Sequence, residues 1–301
     1  MSAASLAAAL ALDLALGEPP PSVHPVVLAG RTIAATEALS PVDPSLQRAF
    51  GVVLVALPAA AAALAGAIVR RPGPLGWLAG IWLLKTAFAL RDLLAASHRV
   101  QRSLERGDMA AARGRLDALV SRETAELRRD EIASAAIESL AENLCDSYVA
   151  PLLCYRLGGL PAALAYRVVN TADAMVGYRG RYEHLGKAAA RLDDLLNYVP
   201  ARATALAIGV SAALAGRTRG RRSAVVAVRD HRRTASPNAG WPMSAMAGAL
   251  DVRLTKRDHY VLNDRARDPE ARDIGRAREL VVVASAVVAG AVLLSYRIGR
   301  R

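Results

Sequence analysis

Three acids spaced four apart are the residues best placed to do chemistry: Glu138, Glu142 and Asp146, in the run Glu138-Ser-Leu-Ala-Glu142-Asn143-Leu-Cys-Asp146. On a helix each step of four advances about 400°, so the three carboxylates fall within an arc of about 80°. Stacked like charges repel unless solvent or a cation intervenes. Hard oxygen ligands of this kind suit Mg²⁺, usually shared with substrate phosphates. The polar face of an amphipathic helix fits the same spacing, since Ile137, Leu140 and Leu144 mark the opposite side. Asp146 favours the metal, because it runs on into apolar sequence where a merely solvated face should have ended.

A second constellation is Asn170-Thr-Ala-Asp173-Ala-Met-Val-Gly177-Tyr178, followed by Arg179, Arg181, Lys187, Arg191, Asp193 and Asp194. Alternating cations and carboxylates beside apolar sequence fit a nucleotide with its metal, and equally fit juxtamembrane anchoring by salt bridges. The stretch from Gly180 to Lys187 is no P-loop. Five residues separate its glycines where that loop has four, and Ala188 stands where a Ser or Thr would hold Mg²⁺. A third is His231-Arg-Arg-Thr-Ala-Ser236-Pro-Asn238-Ala-Gly240-Trp-Pro242, a punctuated turn in which Pro242 can open a helix over 243–250. Free N–H groups at such a helix start, with His231, Arg232 and Arg233 nearby, make an anion site; an ordinary interhelical loop reads the same way. A fourth, His24-Pro25-Val26 with Gly30-Arg31 after Asp13 and Gly17-Glu18, says little alone.

The composition sets what must carry these residues. The chain has 301 residues, 53% hydrophobic and only 4% aromatic, with a net charge of +12. Such a balance implies apolar spans separated by basic loops and anionic partners such as headgroups or phosphorylated substrates. Basic residues are not interleaved with aromatics, which argues against nucleic acid. The two cysteines, Cys145 and Cys154, have no metal-type spacing and read as buried thiols. No Ser/His/Asp order, zinc cluster or dinucleotide glycine fingerprint is present.

Crossing a bilayer takes about 20 apolar residues. Stretches near that length are 50–69, 75–90 and 280–296, with 199–216 weaker because Arg202 lies inside it, and 1–16 and 144–169 as further apolar runs. The 1–16 run is expected to be a retained membrane segment instead of a cleaved signal. The 50–69 and 75–90 runs predict a helical hairpin around the Arg70-Arg71-Pro72-Gly73-Pro74 turn. The 144–169 run is broken by Gly158-Gly-Leu-Pro161 and reads as a re-entrant or buried helix pair. Residues 91–143 predict amphipathic helices interrupted at Gly107-Asp108. The 217–279 segment holds fifteen Lys or Arg residues, which places it in the cytoplasm. The fold class is all-α, a polytopic membrane protein with amphipathic and re-entrant helices, forming one catalytic domain over 1–301.

In order, these segments resemble the CobD/CbiB family of cobalamin biosynthesis, the adenosylcobinamide-phosphate synthases. The resemblance rests on Asp13…Gly17-Glu18-Pro…His24-Pro-Val…Gly30-Arg31, Ser121-Arg122-Glu123-Thr124, Glu138 through Asp146 with Ala150-Pro-Leu152, Asn170 through Tyr178, Ala190-Arg-Leu-Asp-Asp194…Asn197, and Ser236-Pro-Asn-Ala-Gly240. It covers residues 10 to about 280. The stretch around Tyr260 lacks glycines the family shows there.

The resemblance implies a cell-membrane ligase that joins adenosylcobyric acid to (R)-1-amino-2-propanol phosphate with consumption of ATP. Mg²⁺ would mask the phosphates and a base would take the ammonium proton. On that basis Glu138, Glu142, Asp146 and Asp173 are the expected catalytic residues, with Glu142, Asp146 and Asp173 on the metal. Arg179, Lys187 and Arg191 are expected to meet ATP phosphates, and His231, Asn238 and Gly240 the aminoalcohol phosphate. His24, Arg31, Asn143, Asn170, Asp193 and Asp194 complete the substrate contacts. Expected partners are the corrinoid, the aminoalcohol phosphate, the bilayer and other cobalamin enzymes. A transporter using Asp146, Arg156 and Arg202 as pathway residues, or a non-catalytic scaffold, is the alternative.

Overall fold

A computed structural model describes residues 2–69, 73–178 and 180–298. Apart from one short hairpin the described chain is helical, in two compact units, each assembled from separate stretches of sequence. The first comprises residues 1–89, 146–197 and 292–301, the second 90–145 and 198–291.

In chain order the first unit begins with α1 (Ala3–Leu16), α2 (Pro25–Glu37), α3 (Pro44–Val69) and α4 (Pro74–Lys85). His24 caps α2 with its Nδ1, which accepts from the Val26 amide, and Pro25 occupies the first turn where no donor is needed. The second unit opens with α5 (Leu90–Glu105), α6 (Met109–Leu116) and α7 (Arg129–Leu144). Gly107, at φ 75°, makes the predicted break between α5 and α6, and Asp108 caps α6 by accepting from the Ala111 amide. A π turn over Cys145–Val149 leads into α8 (Ala150–Val176) of the first unit. Then come α9 (Lys187–Leu214), α10 (Arg217–Asp230), α11 (Gly240–Leu250), the strands β1 (Leu254–Lys256) and β2 (Tyr260–Leu262), and α12 (Ala271–Ile298).

Among the described residues three helical stretches are long and apolar enough to cross a membrane: Pro44–Val69, Arg129–Val176 and Ala271–Ile298. They carry the 50–69, 144–169 and 280–296 expectations. The other three runs differ. α1 has 14 residues and α4 only 12, against the roughly 20 a crossing needs, so 50–90 does not form a hairpin of two spans. Lys85 closes α4 early. α9 is long enough at 28 residues, but is not among the helices apolar enough to cross. The expected interruption within 144–169 is present, with Gly159 at φ 70° and Pro161 two residues on. The Arg70-Arg71-Pro72 part of the expected turn lies outside the described residues.

The core of the first unit gathers Ile33, Leu54, Val55, Val168, Val169, Ala172 and Leu185. Gly51 lets α3 lie directly against the Leu185 carbonyl, where a Cβ would collide. Gly51→Ala is therefore expected to cost about 1–3 kcal/mol, seen as a lower melting temperature in detergent with helix content unchanged. In the second unit α10 and α11 form a close pair. A Cβ on Gly248 would come within 2.6 Å of the Arg222 carbonyl, and the Ser223 hydroxyl donates to the Ala245 carbonyl at 2.9 Å.

Candidate active site

In the second unit the chemistry gathers on α7, which is buried from Glu131 to Ala141. Glu138 is 5% exposed. Its carboxylate accepts from Arg122 at 3.1 Å, Ser134 at 2.8 Å and the Tyr260 hydroxyl at 3.2 Å. Burial, then the charges of Glu138 and Glu142, hold the Tyr260 hydroxyl well above its ordinary pKa, so it stays a proton donor. Two turns earlier Glu131 takes a two-pronged bond from Arg257 at 2.7 and 2.8 Å. Beside these pairs lies a cleft of about 540 Å³, lined among others by Arg122, Glu126, Lys256, Arg257 and His259. Glu138 is thus neutralised by Arg122 instead of standing open for a metal. Asn143 turns back to donate to the Ser139 carbonyl and hydroxyl, both at 3.0 Å.

In the first unit the π turn does the positioning. A π turn places one extra residue in the helical path, and such turns recur at functional sites. Asp146 lies within this turn. Its Oδ2 accepts from the Asn170 amide at 3.3 Å, and the same amide nitrogen donates to Asp193 Oδ1 at 3.2 Å. Two carboxylates thus converge on one NH₂ group. Arg167 braces the arrangement, donating to the Asp146 carbonyl at 2.9 Å and to Asn170 Oδ1 at 3.2 Å. Behind it Asn197 donates to Asp193 Oδ2 at 2.9 Å and is itself held by the Tyr166 hydroxyl at 2.8 Å.

The electrostatics there are lopsided. Burial raises the Asp193 pKa, and bonds from Asn197 and Asn170 and the charge of Arg167 offset only part of that. Asp194 is also raised, by burial and then by the charge of Asp193, with Arg191 working the other way. Arg167 is thus the cation acting on Asp193, and Arg191 the one acting on Asp194. Asp173 belongs to the last turn of α8. It lies where a Cβ on Gly177 would strike its carboxylate, so that carboxylate covers the C-terminal turn of α8. Among the described residues no three His, Cys, Asp or Glu side chains assemble into a metal cage. Glu142, Asp146 and Asp173 are among those residues.

The 231–241 turn of the second unit is built as an aromatic and cationic stack. The His231 ring lies 4.0 Å from the Trp241 ring at 25°, and its Nδ1 sits 3.0 Å from the Val228 carbonyl. The Arg202 guanidinium lies over Tyr198 at 3.6 Å and Trp241 at 5.1 Å, and donates to Asn238 Oδ1 at 3.0 Å. Gly240 is required, since a Cβ would strike the His231 carbonyl. Arg202 thus ties Asn238 to the Trp241 ring that stacks on His231.

The same turn starts at Asp230, a fully buried carboxylate held by Arg229 at 2.8 Å, Arg233 at 3.2 Å and the Asn263 amide at 2.8 Å. Burial alone would raise its pKa. The Arg229 and Asn263 bonds and the charges of Arg229 and Arg233 outweigh it, leaving the group below the ordinary value. A depressed folded pKa gives stability that is present above the unfolded value, near 3.9, and lost as pH falls through the folded value. The acid limb of melting temperature against pH is thus expected to flatten below about pH 4 in Asp230→Asn relative to wild type.

Around the start of α2 the first unit buries another polar group. His24 pairs with Glu18, and the Lys85 ammonium, fully buried, lies 3.6 Å from Glu18 Oε1. His24 is thereby committed to its cap and to Glu18. Arg31, Lys187 and Arg191 are exposed on their helices, and Arg179 lies outside the described residues. Sequence reasoning gives Arg202 only as a pathway residue of the transporter alternative and Asn197 only as part of the family motif; it assigns no site role to Arg167, Lys85 or Tyr260, of which Arg167 is detectable as a charge inside an apolar run.

The family model described as CobD/Cbib protein matches residues 6–288. A cobalamin biosynthesis protein CobD of Dehalococcoides mccartyi is 42% identical over 270 residues, 86% of this chain and 86% of its own. The CobD protein of Klebsiella pneumoniae is 37% identical over 293 residues, covering 92% of each chain. The cobalamin biosynthesis protein CbiB of Salmonella typhimurium is 36% identical over 305 residues, 96% of this chain and 95% of its own. No solved structure gives a significant match. With nearly the whole chain matched and these relatives at 36–42% identity over most of their length, the protein belongs to the CobD/CbiB family.

Proposed function

We propose that the chain is an adenosylcobinamide-phosphate synthase: it forms an amide between the free propionate carboxyl of adenosylcobyric acid and (R)-1-amino-2-propanol phosphate, using ATP. A carboxylate does not condense with an ammonium unaided, so the acid must be activated and the amine deprotonated. The observation that carries this reading is the convergence of Asp146 and Asp193 on the Asn170 amide.

Mg²⁺ fits there. It is commonly held through one or two carboxylates, with waters and substrate phosphates filling the rest, and Asp146 and Asp193 offer that pair beside Asp194. When bound, the ion neutralises phosphate charge and polarises the transferring group. Asn170 and Arg167 fix the two acids in place. Asp194, whose pKa lies above the usual carboxylate range, is better matched to accept the ammonium proton than an ordinary surface acid. Arg191, on the same face as Asp194, and Lys187, one turn earlier on α9, meet the triphosphate. The chain is multi-pass, with the basic 217–279 segment in the cytoplasm, where its substrates are made.

The test is direct. Protein purified in detergent is incubated with adenosylcobyric acid, the aminoalcohol phosphate, ATP and Mg²⁺, and the corrin is analysed by mass spectrometry. ATP-dependent appearance of the condensed amide is expected. Its absence, with the corrinoid recovered unchanged, would refute the reading.

A further inference from the structure

A second candidate site lies within the second unit, in a cleft of about 580 Å³ between α5 and α12. Its walls are largely apolar, with Leu94, Val282 and Val283, and one end carries His98 and Arg278. Glu279 also lines it. Arg278 Nη1 is buried and has no hydrogen-bond partner. A guanidinium N–H removed from water and left without an acceptor is unfavourable, so an acceptor brought by a ligand gains more here than at a solvated arginine. The Arg278 and Arg102 charges both act on His98, while Glu105 acts on His98 and Arg278 and Glu279 on Arg278, so the carboxylates offset part of the positive charge and leave the Arg278 Nη1 without an acceptor.

The position of Arg278 decides the ligand class. α12 is one of the three helices able to cross a membrane, and residues 280–294 contain no charge. Arg278 thus stands just before the apolar run, at the level where headgroups meet hydrocarbon. A cleft with a cationic end at headgroup depth and apolar walls running into the span has the polarity of an anionic glycerophospholipid.

We infer that this cleft binds one anionic phospholipid, its phosphodiester on Arg278 and His98 and an acyl chain along Leu94, Val282 and Val283. The site is independent of the Asp146–Asp193 pair. Full-length protein, delipidated in nonionic detergent, is titrated with phosphatidylglycerol, phosphatidylcholine or inorganic phosphate, following melting temperature and lipid retention by native mass spectrometry. Phosphatidylglycerol is expected to raise the melting temperature and to be retained at one per chain, with phosphatidylcholine at least about tenfold weaker and phosphate without effect. Arg278→Gln is expected to lose at least about tenfold in affinity for phosphatidylglycerol. Val283→Trp, which keeps the arginine and fills the groove, should abolish retention. Equal binding of the two lipids, an equal response to inorganic phosphate, or wild-type affinity in Val283→Trp would each overturn the assignment. Should Arg278→Gln fail to fold, Val283→Trp and the lipid comparison decide the matter.

Discussion

Asp146→Asn is expected to lower ATP-dependent turnover by about 10²- to 10³-fold, the usual effect of removing one preorganised charge-stabilising group. The substitution is nearly isosteric, and the new amide oxygen can still accept from Asn170 Nδ2, which lies 3.3 Å from the native carboxylate. Arg167 grips the Asp146 backbone carbonyl instead of its side chain, so the π turn should persist. What disappears is one negative charge and one hard oxygen ligand. The Mg²⁺ concentration needed for half-maximal rate is accordingly expected to rise. Asn170→Ala acts differently. It releases two carboxylates from a shared donor and should also reduce turnover, by about 10- to 100-fold, as substitutions of groups that orient metal ligands do.

Arg122→Met is expected to be the most destabilising substitution in the second unit. It leaves Glu138, at 5% exposure, with hydroxyl donors from Ser134 and Tyr260 but without its guanidinium. Removing one partner of a buried ion pair costs about 3 kcal/mol or more, because the remaining charge stays desolvated. For a unit of this size that is roughly a 6–12 °C fall in melting temperature. Replacing both members, as Arg122→Met with Glu138→Met, should recover most of the loss, since two apolar side chains of similar volume carry no desolvation penalty. If the double variant were as unstable as the single one, Glu138 would not be the residue that Arg122 serves.

Much of this was legible from sequence for identifiable reasons. Uninterrupted apolarity marks α3 and the second half of α12, and Gly107 and Gly159 sit where the chain takes positive φ. The family motifs also fall on the residues that make buried polar contacts. Length misled at α4, where an apolar run of apparent spanning size stops at Lys85, a residue the fold buries against Glu18. Nothing in Cys145–Val149 announces the π turn found there. Hydrogen bonding across helices was the least visible part. Asn170 meets Asp146 and Asp193 from positions 24 and 23 residues away, a relation no local pattern encodes. Tyr260 was passed over because its surroundings depart from the family pattern, although its hydroxyl reaches Glu138 from the short hairpin.

The cation itself can be watched with Mn²⁺ as a spectroscopic stand-in, titrated into the detergent-solubilised protein together with a non-hydrolysable ATP analogue. Electron paramagnetic resonance should then count one tightly held ion per chain in the wild type, weakened at least about tenfold in both Asp146→Asn and Asp193→Asn. Unchanged Mn²⁺ affinity in those two variants would mean that the paired acids beside Asn170 do not hold the metal.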